Sequence, residues 1–290
     1  MANQQQPVVL SIAGFDPCSG AGVTADIKTL GAHGCYAVTC ITALTVQSTT
    51  GVRSVQPVAA KLVEQTLEEL ARDFEIAAVR IGMLGSSEVV QAIAGFLKKQ
   101  SPPNIVLDPI FKSSSGAPLL EKGGIDLVRR QLLPLAAVIT PNVDEAAELT
   151  GMRVTTIAEM KAAALRLHEM GARHVVITGG DITPGQPPEK ATDLLSVMGA
   201  NGQAEQTPFA SDRVRSNSTH GTGCAFASAL AANLALGKQL SDAVVMSKAY
   251  VKKAIASARP LGKGQGPLHH LYRLEEVPRA PSDSLAAKEH

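Results

Sequence analysis

The chain has 290 residues, 45% hydrophobic and 18% charged, enough for one large α/β domain or two average ones with a sizeable core. Lys and Arg (27) nearly balance Asp and Glu (26), and aromatics make up 3% with no Trp, so the chain carries neither a nucleic-acid footprint nor an anionic-membrane surface. No apolar run approaches the roughly 20 residues that cross a bilayer, the start MANQQQ lacks a leader pattern, and Cys18, Cys35, Cys40 and Cys224 follow neither metal nor disulfide spacing. Together these features point to a cytoplasmic protein with free thiols.

In chain order, strand-like and helix-like segments alternate. A short apolar run at 7–13 stops at Gly14, a helix is expected over 21–32, and the β-branched stretch 36–46 reads as a strand. Residues 57–72 form an amphipathic helical pattern with Pro57 at its start and Val58, Leu62, Leu67 and Leu70 near helical spacing. A strand at 77–81 precedes a helix at 86–99, which opens on Ser86 and closes on two lysines. Then come a strand at 105–107, a helix at 125–133, a strand at 136–139, helices at 143–149 and 157–170, and a strand at 174–177. From 184 to 209 the pattern changes to turn residues and a hairpin, 194–198 with 203–207, around Asn201-Gly202. Helices at 225–236 and 241–258 complete the set, and the tail past 277 is polar. This order predicts a single α/β domain over 7–277, with a mostly parallel sheet covered by helices on both faces, between flexible ends at 1–6 and 278–290.

In such a sheet ligands bind outside the carboxyl ends of the strands. Gly14, Asp16, Gln47, Met83, Asp108, Asn142 and the run Thr178-Gly-Gly-Asp181 follow the expected strands and should converge on one edge. The turn NSTHGTGC (217–224) runs directly into a helix. Helix N-termini carry unpaired N–H groups and partial positive charge, and Gly221 and Gly223 let an anion approach the backbone. The turn Gly221-Thr222-Gly223-Cys224 is therefore a candidate phosphate or phosphoryl-transfer site.

These segments, taken together, resemble the hydroxymethylpyrimidine/phosphomethylpyrimidine kinases, the thiamin-biosynthesis branch of the ribokinase superfamily. The resemblance runs in order through AGFDPCSGAGVTADIKTL (13–30), VTCITALTVQST (38–49), RIGML (80–84), VLDP (106–109), SGAPLL (115–120), ITPNVDEAAELTG (139–151), THGTGC (219–224) and GPLHH (266–270). It implies a ribokinase-like three-layer α/β/α sandwich, ATP and Mg²⁺ as cosubstrates, usually a homodimer, and phosphorylation of an aminopyrimidine alcohol and then of its monophosphate. It assigns Gly14, Asp26, Gln47, Met83 and Ile110 to the aminopyrimidine, Asn142, Glu145, Thr178 and Gly180 to nucleotide and phosphate, and Asp108 with Glu145 to the metal region.

Residue chemistry agrees in part. The Gln47 amide both donates and accepts, matching an aminopyrimidine edge. Met83 suits a ring face or plain core packing, and Asp26 suits a ligand or simply a helix front. Asn142 and Glu145 also make a helix cap with an acid in its first turn. Mg²⁺ needs only one or two carboxylates beside phosphates and waters. Cys224 stands where most sugar kinases carry an Asp base. At a helix N-terminus its thiol is expected to be acidified and to serve as base or to position the alcohol. Two motifs depart from the family: Ser114-Ser115-Gly116 replaces a Lys-Ser-Gly flap, leaving Lys112 as the nearest flap cation, and Asp181 replaces a His. Alternatives are a pyridoxal or pyridoxine kinase of the same fold and a non-catalytic nucleotide-binding regulator. A dinucleotide oxidoreductase fits less well, because GFDPCSGAG after the first strand is not a G-x-G-x-x-G run.

Overall fold

Residues 6–180 and 190–275 are described by the structure, a computed structural model. Among them the frame is a nine-stranded sheet in the order β3-β2-β1-β4-β5-β6-β7-β8-β9. Strands β1 (Val8–Phe15), β2 (Tyr36–Ser48), β4 (Ile76–Ile81), β5 (Ile105–Leu107), β6 (Val138–Ile139) and β7 (His174–Ile177) are parallel. β3 (Gly51–Pro57) closes one edge antiparallel to β2, and β8 (Lys190–Met198) with β9 (Ala204–Asp212) closes the other.

Side chains alternate across a strand, so each central strand feeds two cores. Leu10, Ile12, Val79, Ile81 and Leu107 pack under α2 (Ala60–Asp73), α3 (Ser87–Gln100), α4 (Lys122–Leu127), α5 (Val143–Thr150) and α6 (Ile157–Glu169). Val9, Ala78, Val106, Val138 and Val176 face the opposite side, beneath α1 (Gly22–Ala32), α7 (Thr222–Ala235) and α8 (Leu240–Ala256). The result is a three-layer α/β/α sandwich. Helix α7 is alanine-rich and buried continuously from Cys224 to Asn233, which lets it lie close to the sheet. On the opposite face α3 and α6 start on side-chain caps: Ser86 Oγ accepts from the Val89 amide (3.4 Å), and Thr156 Oγ1 from the Glu159 amide (3.2 Å).

The observed elements depart from the sequence expectation in four places. Pro57 ends β3 instead of opening a helix, and α2 begins at Ala60. β3 is a half-exposed polar edge strand, so it lacks the apolar pattern that reveals a strand. Residues 125–133 do not form one α-helix: α4 passes into a π turn at Val128–Leu132 and a 3₁₀ turn at Leu133–Leu135, where Pro134 has no N–H to continue the ladder. The hairpin strands extend well beyond 194–198 and 203–207, with Pro208 tolerated because β9 is an edge strand. Finally, a short helix α9 (Tyr272–Glu275) docks Tyr272 on the second core. The four cysteines are free thiols, and among the described residues no helix is long and apolar enough to cross a membrane. The flexible ends expected at 1–6 and 278–290 fall largely outside the described residues, as do Asp181 and the turn residues opening at 184.

Candidate active site

The parallel strands end on one edge, and the residues that follow them wall a single open cleft together with the turn 221–224. Gly14, Gln47, Met83, Asp108, Ile110, Lys112, Asn142, Glu145, Thr178 and Gly180 all line it, as do Gly221, Thr222, Gly223 and Cys224. Asp26 does not, and here the sequence expectation is corrected: its carboxylate is fully buried behind the cleft wall. It accepts from Ser11 Oγ (2.6 Å), Ser228 Oγ (2.7 Å) and Arg80 Nη1 (3.1 Å), so it supports the wall from behind and does not contact the cleft.

At one end of the cleft Met83, Ile110 and Leu119 make an apolar wall, with Ala43 packed behind them. Met83 is held by Thr42 Oγ1, which donates to its carbonyl oxygen. A Cβ on Gly14 would come within 2.7 Å of Met83 Sδ, so a larger residue there would displace the Met83 side chain from this wall. Gln47 projects from the end of β2, next to His220 and Asp16. Burial works to raise the Asp16 carboxyl. Hydrogen bonds from His220 and from the Ala21 and Cys18 amides outweigh it and hold the group below its ordinary range.

Arg80 lies under the floor, fully buried on a strand otherwise apolar. It donates to Asp26 Oδ2 (3.1 Å) and to Asp108 Oδ2 (2.7 Å). A Cβ on Gly82 would sit 2.0 Å from its Nη1, so glycine leaves room for the guanidinium. Above it is Cys224, the third residue of α7. Burial pushes its thiol up to about 11; Arg80 opposes the rise, and Asp108 and Asp26 reinforce it. The acidified thiol expected from the helix terminus is therefore corrected. Desolvation and two buried acids outweigh the local positive charge.

The turn itself is built for close approach. Gly221 caps α7 at φ +85°, and a Cβ there would collide with the Gly20 carbonyl oxygen at 1.8 Å. Thr222 N donates to Thr219 O (3.3 Å). The next two amides, at Gly223 and Cys224, belong to the first turn, where no intrahelical acceptor exists. A Cβ on Gly223 would meet nothing within 4 Å, and the residue lines the cleft, so its backbone is approachable from there.

Opposite the turn are two acids. Asn142 Oδ1 accepts from the Glu145 amide (2.9 Å) and Glu145 Oε2 from the Asn142 amide (2.8 Å), a reciprocal capping box that fixes the start of α5. Burial raises both the Glu145 and Asp108 carboxyls; Asp108 lifts Glu145 further, and Arg80 restrains Asp108. Hard carboxylate oxygens that disfavour each other's charge fit a divalent cation such as Mg²⁺. Among the described residues no cluster of three or more His, Cys, Asp or Glu forms a metal cage, so such an ion would also draw on phosphate oxygens and water.

Thr178 and Gly180 follow β7 at the far end. Between them, a Cβ on Gly179 would lie 2.1 Å from the Thr192 carbonyl oxygen, and the Gly179 amide donates to Asp193 Oδ1 (3.1 Å). Lys248 of α8 ion-pairs with Asp193 and braces this turn. Lys112 is exposed on the flap, bridged through its backbone to Pro118. Sequence reasoning assigned no role to Arg80, His220, Asp193 or Lys248. A charge inside the apolar run 77–81 was the one signal available for Arg80, while the other three are placed by contacts between distant segments.

The profile of the phosphomethylpyrimidine kinase family matches residues 16–269. The chain belongs to this family. It is 38% identical over 270 residues to the hydroxymethylpyrimidine/phosphomethylpyrimidine kinase of Haemophilus influenzae, covering 93% of this chain and 98% of that one. It also matches the longer thiamine biosynthesis bifunctional protein ThiED of Geobacter sulfurreducens at 39% identity, but spans only 53% of that protein. Among solved structures it is similar to an ADP complex of Bacillus subtilis pyridoxal kinase (TM-score 0.82, 32% identity, 93% of this chain and 99% of that chain). The phosphomethylpyrimidine kinase of Clostridium difficile aligns with TM-score 0.74 and 35% identity, over 86% of this chain and 100% of that one. The sandwich is thus the ribokinase-like form shared by these vitamin kinases.

Proposed function

We propose that the protein transfers phosphate from ATP to 4-amino-5-hydroxymethyl-2-methylpyrimidine and then to the resulting monophosphate, giving the diphosphate for thiamin biosynthesis. One observation carries this reading: the open amides at Gly223 and Cys224, the acids Asp108 and Glu145, and the Gln47–Met83 wall share one cleft in a chain of the phosphomethylpyrimidine kinase family. Solved relatives in complex with ADP or AMP-PCP support ATP as donor. The acceptor ring packs against Met83 and Ile110 above Gly14 while Gln47 meets its polar edge, and the nucleotide lies toward Thr178, Gly180 and Asn142. In the first transfer the acceptor hydroxyl oxygen forms a bond to the γ-phosphorus as the bond to the β-phosphate oxygen breaks, ADP leaves and the hydroxyl proton passes to solvent; in the second transfer a phosphate oxygen of the monophosphate is the nucleophile and ADP again leaves. The Gly223 and Cys224 amides stabilise charge on the transferring group. When bound, Mg²⁺ neutralises phosphate oxygens beside Asp108 and Glu145. Cys224, a neutral thiol near pH 7, positions the alcohol and does not remove its proton. A cytoplasmic homodimer over a single domain spanning 7–277 completes the reading.

The test is ADP release with the aminopyrimidine alcohol, its monophosphate, pyridoxal and pyridoxine, together with product analysis over time. Turnover of both pyrimidines is expected. Accumulation of monophosphate with no diphosphate would refute the second step. Preference for pyridoxal would favour the second reading, a pyridoxal kinase, which the likeness to the Bacillus subtilis enzyme keeps in view.

A further inference from the structure

We propose that His220 is a positioning residue: it fixes the orientation of the Gln47 amide so that Gln47 offers its NH₂ group, not its oxygen, to the acceptor. The inference deepens the aminopyrimidine kinase reading and rests on it. Asp16 anchors the arrangement. One carboxylate oxygen accepts from the Cys18 amide (2.8 Å); the other accepts from the Gly20 (3.1 Å) and Ala21 (2.9 Å) amides and lies 2.8 Å from His220 Nε2. With three backbone N–H groups directed at it, this carboxylate is an acceptor throughout and carries no proton of its own. The hydrogen between Asp16 and His220 therefore sits on Nε2.

The His220 ring has little freedom to turn away. Its backbone amide donates to the Gly266 carbonyl (3.0 Å), and its backbone bridges to Pro267. On its other side a Cβ on Gly20 would come within 2.4 Å of His220 Cδ2 and 3.0 Å of the Pro267 Cβ, so the ring packs against backbone that must be glycine. The Gln47 amide meets this same nitrogen, with its Nε2 position 3.3 Å away. Two N–H donors repel, and an amide's oxygen and nitrogen are assigned by their neighbours. The stable arrangement turns the amide over, with Oε1 sharing the His220 Nε2 hydrogen. Both Gln47 N–H bonds are then left for the cleft, where Gln47 is a wall residue.

A donor at that place selects chemistry. It matches a ring nitrogen, which accepts, and opposes an amino group or ring N–H presented at the same point. Asp16 and His220 thus act on specificity at one remove, touching Gln47 and not the ligand.

The experiment is a double-mutant cycle on acceptor KM at saturating ATP, with wild type, His220→Ala, Gln47→Leu and the double variant. His220→Ala should raise acceptor KM about twofold to tenfold, the range for one hydrogen bond, with ATP KM hardly moved. In the Gln47→Leu background the same change should have almost no further effect, because there is no amide left to orient. An undiminished effect of His220→Ala in that background would overturn the proposal. ¹⁵N NMR of the imidazole in the intact wild-type protein is a second measurement that needs neither a variant nor turnover. Protonated Nε2 is expected, and a neutral ring protonated only on Nδ1 would overturn the proposal. If the wild type fails to turn over the aminopyrimidine alcohol while Nε2 is protonated, the substrate reading fails and the His220–Asp16 arrangement stands.

Discussion

Gly223→Val separates the anion turn from the fold. The position is the second residue of α7, with helical backbone and nothing within 4 Å of an added Cβ. Valine is a slightly better helix residue than glycine, by a few tenths of a kcal/mol (about 0.6 against about 1 below alanine), so stability should hold or rise slightly. The new methyls enter the cleft beside the Gly223 and Cys224 amides and block the approach of a phosphoryl group. Loss of one preorganised donor to a developing charge costs about 10²–10³ in turnover, or about 3–4 kcal/mol of barrier. Gly221→Ala is the contrast. Its φ of +85° and the 1.8 Å approach to the Gly20 carbonyl oxygen make any Cβ strained, so this variant should lose stability. The assays are kcat for ADP release and thermal unfolding, run side by side. The expected pattern separates the two: Gly223→Val melts like wild type and turns over at least about a hundredfold more slowly, whereas Gly221→Ala melts early. A Gly223→Val protein with both normal melting and near-normal kcat would refute the assignment of this turn.

Three further outcomes follow from the same geometry. Because burial holds the Cys224 thiol up at about 11, Cys224→Ser should stay within about tenfold of wild-type kcat and iodoacetamide near neutral pH should label Cys224 slowly; Cys224→Asp should fare worse, since it adds a carboxylate to a floor that already holds Asp26 and Asp108. Lys112→Met should slow the second phosphorylation more than the first, because only the second acceptor is anionic; equal loss in the two product time courses would remove Lys112 from that role. His270 is held down to about 4 from an ordinary 6.5, by burial first and by Lys28 next. Since the unfolded chain then binds a proton that the folded one refuses, stability should be unaffected above pH 6.5 and fall as pH drops from 6.5 toward about 4, by at most about 3 kcal/mol. Denaturant melts of wild type and His270→Asn across that range check this, and identical slopes would refute it.

The strand–helix order was legible because buried parallel strands and amphipathic helices leave strong local patterns. Val9 and Leu10 show this on β1, and Leu67 on α2. β3 was not, because Arg53, Ser54 and Gln56 face outward and its pairing with β2 is set by a partner strand. The cleft was legible for a related reason: strand ends in a parallel sheet must share an edge, so Gly14, Gln47, Met83, Asp108 and Asn142 could be grouped before any contact was known. What a residue does within that edge depends on what lies behind it. Asp26 is close to the cleft in sequence terms, yet two hydroxyls and Arg80 consume its carboxylate from the far side.

Cys224 shows the same limit in electrostatic form. A helix N-terminus is a local feature and argues for an acidified thiol. Burial is a property of the whole fold and argues the other way, and the nearby charges divide: Arg80 stabilises a thiolate, while Asp26 and Asp108 destabilise it. Arg80 also holds those two acids, at 3.1 Å and 2.7 Å, so its charge is shared among three groups and does not offset the burial of the sulfur. A protein that placed an acid at position 224 would have to bring another cation to this floor. With the acids and Arg80 as they are, a neutral group is the one the site holds without further cost, and in the proposed reaction Cys224 would orient the alcohol while the Gly223 and Cys224 amides supply the charge stabilisation.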